Sequence, residues 1–257
     1  MLLEVLPNAL GAAVWSAQLE GDSFAKTCIQ HGVIPILSRF VIEGTPGPFG
    51  VAKPLGVTGR FQLAQGEERV FLNMWGDLTG PIGRVYPPKP DDAGTIASAG
   101  RIFGEHVFTR LFAPPGERRV NKLDVPGAPE SLAPYVQRAF ASMLDLPSDA
   151  KALDAVSPDD APVVFGVVHT DSNQHVNSLV YLRVFEELAL RRFAALGRRD
   201  AVLSRKLEIA YRKPCFAGDR VRVALRAFEH QGAVGLVGEL APAAGGAPHC
   251  SVRIVFG

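Results

Sequence analysis

The sequence predicts an α+β fold of two antiparallel sheets, each wrapped around a long central helix and fused in one chain. Three observations predict it. Residues 178–196 (SLVYLRVFEELALRRFAAL) contain neither Gly nor Pro, are rich in Leu, Ala, Glu and Arg, and stop before Gly197, which marks a helix of about five turns. Four strand-like segments follow it, so one sheet can curve around one helix. The first half repeats this order in blurred form, and two such units account for the length of 257 residues.

Taken in chain order, residues 9–18 read as a strand and 22–40 as a helix weakened by Gly32 and Pro35. Strands are then expected over 55–64, 69–78 and 97–112. From 113 to 162 prolines, acids and small residues accumulate, as in a connection. Within it, Leu132, Tyr135, Val136, Phe140 and Leu144 fall near helical spacing, which predicts one amphipathic helix over 131–144. Residues 163–168 form a short apolar run, read as a buried strand. After the long helix, Leu207, Ile209 and Tyr211 alternate with polar positions, and Val221, Val223 and Leu225 alternate with Arg220, Arg222 and Arg226. Residues 232–240 and 251–256 complete the set, with turns at 229–232 and at Gly245-Gly246. The resulting division is 1–113 for a first unit, 114–160 for a linker with a helix, and 161–257 for a second unit.

Composition excludes several functions. Lys and Arg number 27 against 26 Asp and Glu, for a formal charge of +1, without the basic excess of a nucleic-acid binder. With 47% hydrophobic residues the chain can bury a full core. No apolar run approaches the roughly 18 residues of a membrane helix. Glu4 and Pro7 interrupt the first residues where a secretory leader needs basic residues and an unbroken apolar stretch. Cys28, Cys215 and Cys250 are odd in number and widely spaced, against a disulfide framework or structural zinc. A cytoplasmic protein is expected, with no membrane or nucleic-acid partner.

The densest polar collection in the second half is HTDSNQHVNS, residues 169–178, between the apolar run and the long helix. Asp171, Asn173 and His175 alternate, so an extended segment would put all three side chains on one face. Unpaired N–H groups and the positive dipole end of the helix would point at the same place. Such a constellation suits a carbonyl whose oxygen turns negative under attack. Asp171 would attack the carbonyl carbon or take a proton from water, and His175 would assist the departing group. Alone, Asp171 or Asn173 would simply close a strand and satisfy a helix start, and Asn177 reads as the N-cap. Tyr181 reads as packing. His169, Asp171 and His175 lack the spacing of a metal site, so no metal is expected. Glycines near 44–47 and 245–246 lack the context of a nucleotide loop, and no cofactor is implied.

The stretch FGVVHTDSNQHVNSLVYLRVFEE resembles the signature of hotdog-fold acyl thioesterases. With Tyr181 after Asp-x-Asn-x-His-Val-Asn, it is most similar to the plant and bacterial acyl-ACP thioesterases, which are double hotdogs with the motif in the second repeat. The resemblance implies a double hotdog with a degenerate first unit. It implies that Asp171, Asn173 and His175 act together on the thioester carbonyl or the attacking water. It extends into LEIAYRKPCFAGDRVRV, where Cys215 matches a catalytic cysteine, while Pro214 stands where the family has an acid and Ser178 where it has a second asparagine. Val176, Asn177 and Tyr181 are the candidate substrate-binding residues, and the two central helices would line an acyl tunnel. The implied activity is hydrolysis of an acyl thioester on acyl carrier protein or CoA, by a monomer or a homodimer of double hotdogs. A hotdog hydratase or dehydratase and a non-catalytic acyl-thioester binding module are the alternatives. The exposed arginines at 198, 199, 220, 222 and 226 would meet an acidic carrier or simply face solvent.

Overall fold

The computed structural model of the chain describes residues 6–15, 24–50, 53–160, 162–198 and 203–257. It separates into two units, Val5–Phe40 with Thr45–Arg138 and Val41–Gly44 with Ala139–Gly257. Residues 16–18 and 22–23 of the expected first strand and helix, residues 1–5 and Arg199 lie outside the described residues.

In the first unit the opening residues are helical, not extended: α1 (Pro7–Leu10) runs into a π-helical turn, Gly11–Trp15. Leu10 and Val14, four residues apart, fall on one face and are buried. Their seat is made of glycine. A Cβ on Gly104 would stand 2.9 Å from Leu10, and one on Gly59 2.7 Å from Val14. The helix expected over 22–40 is a correction of another kind, because α2 covers only Phe24–Gln30 and strand β1 (Val33–Gly44) takes the rest. Gly32, with φ of +68°, ends α2, and the β-branched run after it favours an extended chain. A long central helix is thus absent from the described residues of this unit. Strands β2 (Gly56–Gln65), β3 (Val70–Pro81) and β4 (Ile96–Arg110) fall close to expectation. They pair in the order β2-β3-β4-β1, and β5 (Ala133–Pro134) adds a parallel rung to β2. Trp15, Phe24, Cys28, Phe61, Leu72 and Phe108 wall an apolar crevice, and α2 contributes one side of it.

The amphipathic helix expected over 131–144 does not form. Ala133 precedes a proline and is biased away from helix. Tyr135 is drawn over the sheet, where its hydroxyl donates to Glu105 Oε2 at 2.5 Å. Val136 is exposed, and only Phe140–Leu144 makes a 3₁₀ turn, with Met143 buried.

The second unit begins with three two-residue strands, β6 (Lys151–Ala152), β7 (Ser157–Pro158) and β8 (Val163–Val164). The buried strand expected over 163–168 stops at Val164. Residues Val167–His169 form a 3₁₀ turn instead, with Val167 77% and Val168 90% exposed. Helix α3 (Ser178–Ala195) matches its prediction within one residue. After it come β9 (Ser204–Tyr211), β10 (Arg220–His230), β11 (Ala233–Pro242) and β12 (Cys250–Phe256), antiparallel in the order β9-β12-β11-β10. Strands β6, β7 and β8 line the outer edge of β10 in turn, at Phe228, Leu225 and Val221. Gln231 and Gly232 both have positive φ, as the two-residue β10–β11 hairpin requires.

α3 lies on this sheet through one broad stripe: Tyr181, Leu182, Phe185, Leu188, Ala189 and Phe193 are buried. The opposite side of the helix is open, and Leu190 faces outward. Phe193 meets Phe256 edge-on at 5.2 Å, and Tyr181 meets Tyr211 at 5.6 Å. The stripe fixes the helix, and the helix fixes where its first residue stands.

Candidate active site

The segment leading into α3 is a closed turn. Gly166 N–H donates to His169 Nδ1 at 2.9 Å, which makes Nδ1 the acceptor nitrogen of that ring. Thr170 then bridges Val176, and His175 bridges Phe216. Between them, Asp171 N–H donates to the His175 carbonyl at 2.8 Å and Gln174 N–H to the Asp171 carbonyl at 2.9 Å. The Asp171 side chain locks the loop: its Oδ1 accepts from Asn173 N–H at 2.8 Å and from His175 N–H at 3.3 Å. Gln174 takes a φ of +62°, an unusual value for a side-chain-bearing residue.

Alternation along an extended strand therefore does not describe how Asp171, Asn173 and His175 come together. An aspartate whose carboxylate can reach the N–H two residues on closes a turn in preference to a strand. The three residues are gathered in one five-residue loop, with Asp171 and Asn173 exposed and His175 half-buried. The His175 ring meets Phe216 edge-on at 5.2 Å. Asp171 Oδ2 makes no hydrogen bond among the described residues.

Asn177 is the N-cap of α3, its Oδ1 accepting from Leu179 N–H at 2.9 Å. The Val180 N–H donates to the Asn177 carbonyl at 2.9 Å. These two helix-start donors thus have partners, which corrects the expectation that they stand open toward a substrate.

Val176, Tyr181 and Cys215 lie behind the loop, all buried. Cys215 holds the loop from inside, its carbonyl accepting from Val176 N–H at 2.8 Å. Its own N–H donates to the Tyr181 hydroxyl at 2.9 Å. Burial pushes the Cys215 thiol up to about 11, so it stands protonated at neutral pH, the opposite of an activated thiolate. Burial likewise raises the Tyr181 and Tyr211 hydroxyls well above the ordinary phenol range. Tyr211 donates to the Ser178 carbonyl at 3.1 Å.

Residue-type reasoning missed the apolar rim. Phe216, 46% exposed, stands against His175, and Val167 and Val168 stand out beside the loop. Gly166 and Thr170 at the two ends of Val-Val-His were the signal that these valines belong to a turn. Among the described residues, no group of three or more His, Cys, Asp or Glu side chains is placed to hold a metal ion. None of the described helices is long and apolar enough to cross a membrane.

Solved structures share this fold. An acyl-ACP thioesterase from Bacteroides thetaiotaomicron superposes with a TM-score of 0.59 over 100% of this chain and 90% of its own, at 18% identity. A 12:0-ACP thioesterase from Umbellularia californica gives 0.60 over 100% and 87%, at 14% identity. A MaoC-like dehydratase from Phytophthora capsici gives 0.50 over 87% and 69%, at 9% identity. No protein-family model matches the sequence, and no curated protein matches it. The chain therefore shares its fold with acyl-ACP thioesterases of solved structure. What the chain does must be argued from its own residues.

Proposed function

We propose that the protein is an acyl thioesterase that hydrolyses an acyl-ACP or acyl-CoA thioester to a free carboxylic acid and a thiol. The observation that supports it is the state of Asp171: one carboxylate oxygen is pinned by two backbone N–H groups, and the other is open at an exposed loop. A fixed carboxylate with an open oxygen is what a water-activating base or an acyl-accepting nucleophile needs. In the base route, Asp171 takes a proton from water as the oxygen bonds to the acyl carbon. The carbon–sulfur bond then breaks, and the thiolate leaves with a proton supplied through His175. Asn173, two residues on, orients the water or the carbonyl through its amide. In the nucleophile route, Asp171 first forms an anhydride, which water then opens to the same products. Val176, Asn177 and Tyr181 act by shaping the loop and the helix start. Cys215, held as a thiol, supports the loop and does not attack.

Under this reading the partner is acyl carrier protein or CoA, the enzyme works in the cytoplasm without a cofactor, and it is a monomer or a homodimer. The dehydratase among the fold's neighbours keeps a second reaction in view, water addition or removal at an enoyl or β-hydroxyacyl thioester. One experiment separates them. The protein is incubated with acyl-CoA and acyl-ACP substrates of graded length, with a thiol-reactive dye and mass spectrometry of the acids. Free thiol and free acid in equal amounts are expected. Hydrated or dehydrated thioester without thiol would establish the second reaction. Thermal stabilisation by the substrates with no turnover would make the protein a binding module.

A further inference from the structure

Tyr181 is buried, 2% exposed, so whatever it does for the loop it does through a neighbour. That neighbour is Cys215. The Tyr181 hydroxyl accepts the Cys215 N–H at 2.9 Å and also lies against the Cys215 thiol. The Cys215 carbonyl in turn accepts the Val176 N–H at 2.8 Å, and the next residue, Phe216, bridges His175. A chain of three links therefore runs from Tyr181 in α3, through the Cys215 backbone, to the closing residues of the Asp171 loop. The ring of Tyr181 is clamped between Phe165 at 5.8 Å and Tyr211 at 5.6 Å, so the hydroxyl has one position.

We propose that Tyr181 is a positioning residue for the thioesterase reaction: its hydroxyl fixes the backbone at Cys215, and that backbone, through its carbonyl, fixes the chain at His175 and Val176. The inference rests on the function proposed above. It gives the sequence's Tyr a role that neither packing nor substrate contact describes. Without the hydroxyl, the buried Cys215 N–H has no partner, and the Cys215 backbone loses its tie to α3. The loop then keeps its own Asp171 turn but loses its registration against α3, where small displacements are expensive in rate.

The test compares Tyr181→Phe with Phe193→Leu, a core change at the other end of α3, where Phe193 packs on Phe256. Both variants are measured well below their own Tm. Tyr181→Phe should lower kcat about tenfold with KM within about twofold of the parent. Amide hydrogen exchange at Val176 should quicken. Phe193→Leu should lower Tm while leaving kcat and that exchange rate at parental values. Parental kcat in Tyr181→Phe, a rise in KM alone, or an equal kcat loss in Phe193→Leu would overturn the proposal. If the parent hydrolyses no thioester, the thioesterase reading fails by itself, and exchange at Val176 still decides whether Tyr181 holds the loop. Should Tyr181→Phe not fold, exchange in the parent decides: the Cys215 amide must be far slower than that of Asn173, and equal rates would sink the inference.

Discussion

In the first unit, Glu105 is 1% exposed and surrounded by donors: Ser38 at 2.6 Å, Gln137 at 2.8 Å and Tyr135 at 2.5 Å, with Arg39 Nε at 3.5 Å. In the second, Asp171 is exposed, with one oxygen tied and the other open. Both are carboxylates, and they differ in burial and in partners. A buried carboxylate saturated by the protein has no lone pair to offer a substrate, and it ties distant segments together. A carboxylate half-satisfied by its own loop is held in place and can still react. The contrast separates a structural acid from a candidate catalytic one without reference to residue type.

The largest effect should come from emptying the saturated site. Glu105→Ala strips Ser38, Tyr135 and Gln137 of a shared acceptor inside the first unit, and breaking a buried charged network of this kind costs about 3–5 kcal/mol. Urea denaturation followed by tryptophan fluorescence reads it, since Trp15 and Trp75 both lie in the first unit. A loss below about 1 kcal/mol would mean that the network is solvated and the contrast with Asp171 is false.

Next in size is a proton effect at the neighbouring residue. Burial pushes His106 down to about 4, and its Nδ1 lies 3.3 Å from the Leu72 carbonyl. A histidine with an ordinary pKa of 6.5 in the unfolded chain binds a proton there before the folded protein does. Stability from this group is therefore full above about 6.5 and lost as pH falls from about 6.5 to about 4, where both states are protonated; the total is about 3 kcal/mol. Urea midpoints at pH 7, 6 and 5 should drop more steeply in the parent than in His106→Gln. Parallel pH profiles would show that His106 is not held neutral.

The open carboxylate gives the third test. Asp171→Asn keeps an oxygen that can accept the Asn173 and His175 N–H groups, so the loop and Tm should survive. Turnover should fall by at least about 10², the usual worth of a positioned base. Near-parental turnover would remove Asp171 from the chemistry. A fourth and smaller effect is expected at the cap, where Asn177→Ala should cost about 1 kcal/mol in urea unfolding. No loss there would mean that the Leu179 N–H is satisfied by water.

The second unit was legible in the sequence to a degree that the first was not, and the reasons lie in particular residues. α3 has no competing signal over its length, and Asn177 and Gly197 mark both its ends. In 22–40, helix formers and β-branched residues are mixed, and Gly32 decides where one gives way to the other, a tertiary choice that composition cannot weigh. Residues 9–15 are small or apolar throughout, so no polar position marks a strand period or a helical one. What selects the helix is the glycine seat at Gly59 and Gly104, on strands far away in sequence. At the site, the residue types were readable and the geometry was not. Asp171 bonding two N–H groups of its own loop turns an expected strand face into a turn, and a local side-chain bond of that sort leaves no trace in hydrophobic periodicity.

The smallest effect expected bears on the same contrast from the inside. Cys215 matches a catalytic cysteine by resemblance, yet it is fully buried and its thiol is pushed up to about 11. What the loop takes from Cys215 is its backbone, which Cys215→Ala retains: the carbonyl still accepts the Val176 N–H, and the N–H still reaches Tyr181. Only the sulfur is lost, and with it a few tenths of a kcal/mol in the barrier, about twofold in rate. Steady-state thiol release and labelling of the parent by iodoacetamide check this together. Slow labelling and a mild variant are expected, because a protonated, enclosed thiol neither alkylates quickly nor attacks. Rapid alkylation that abolishes turnover, matched by an inactive Cys215→Ala, would move the nucleophile from the loop to the interior and leave Asp171 as its base.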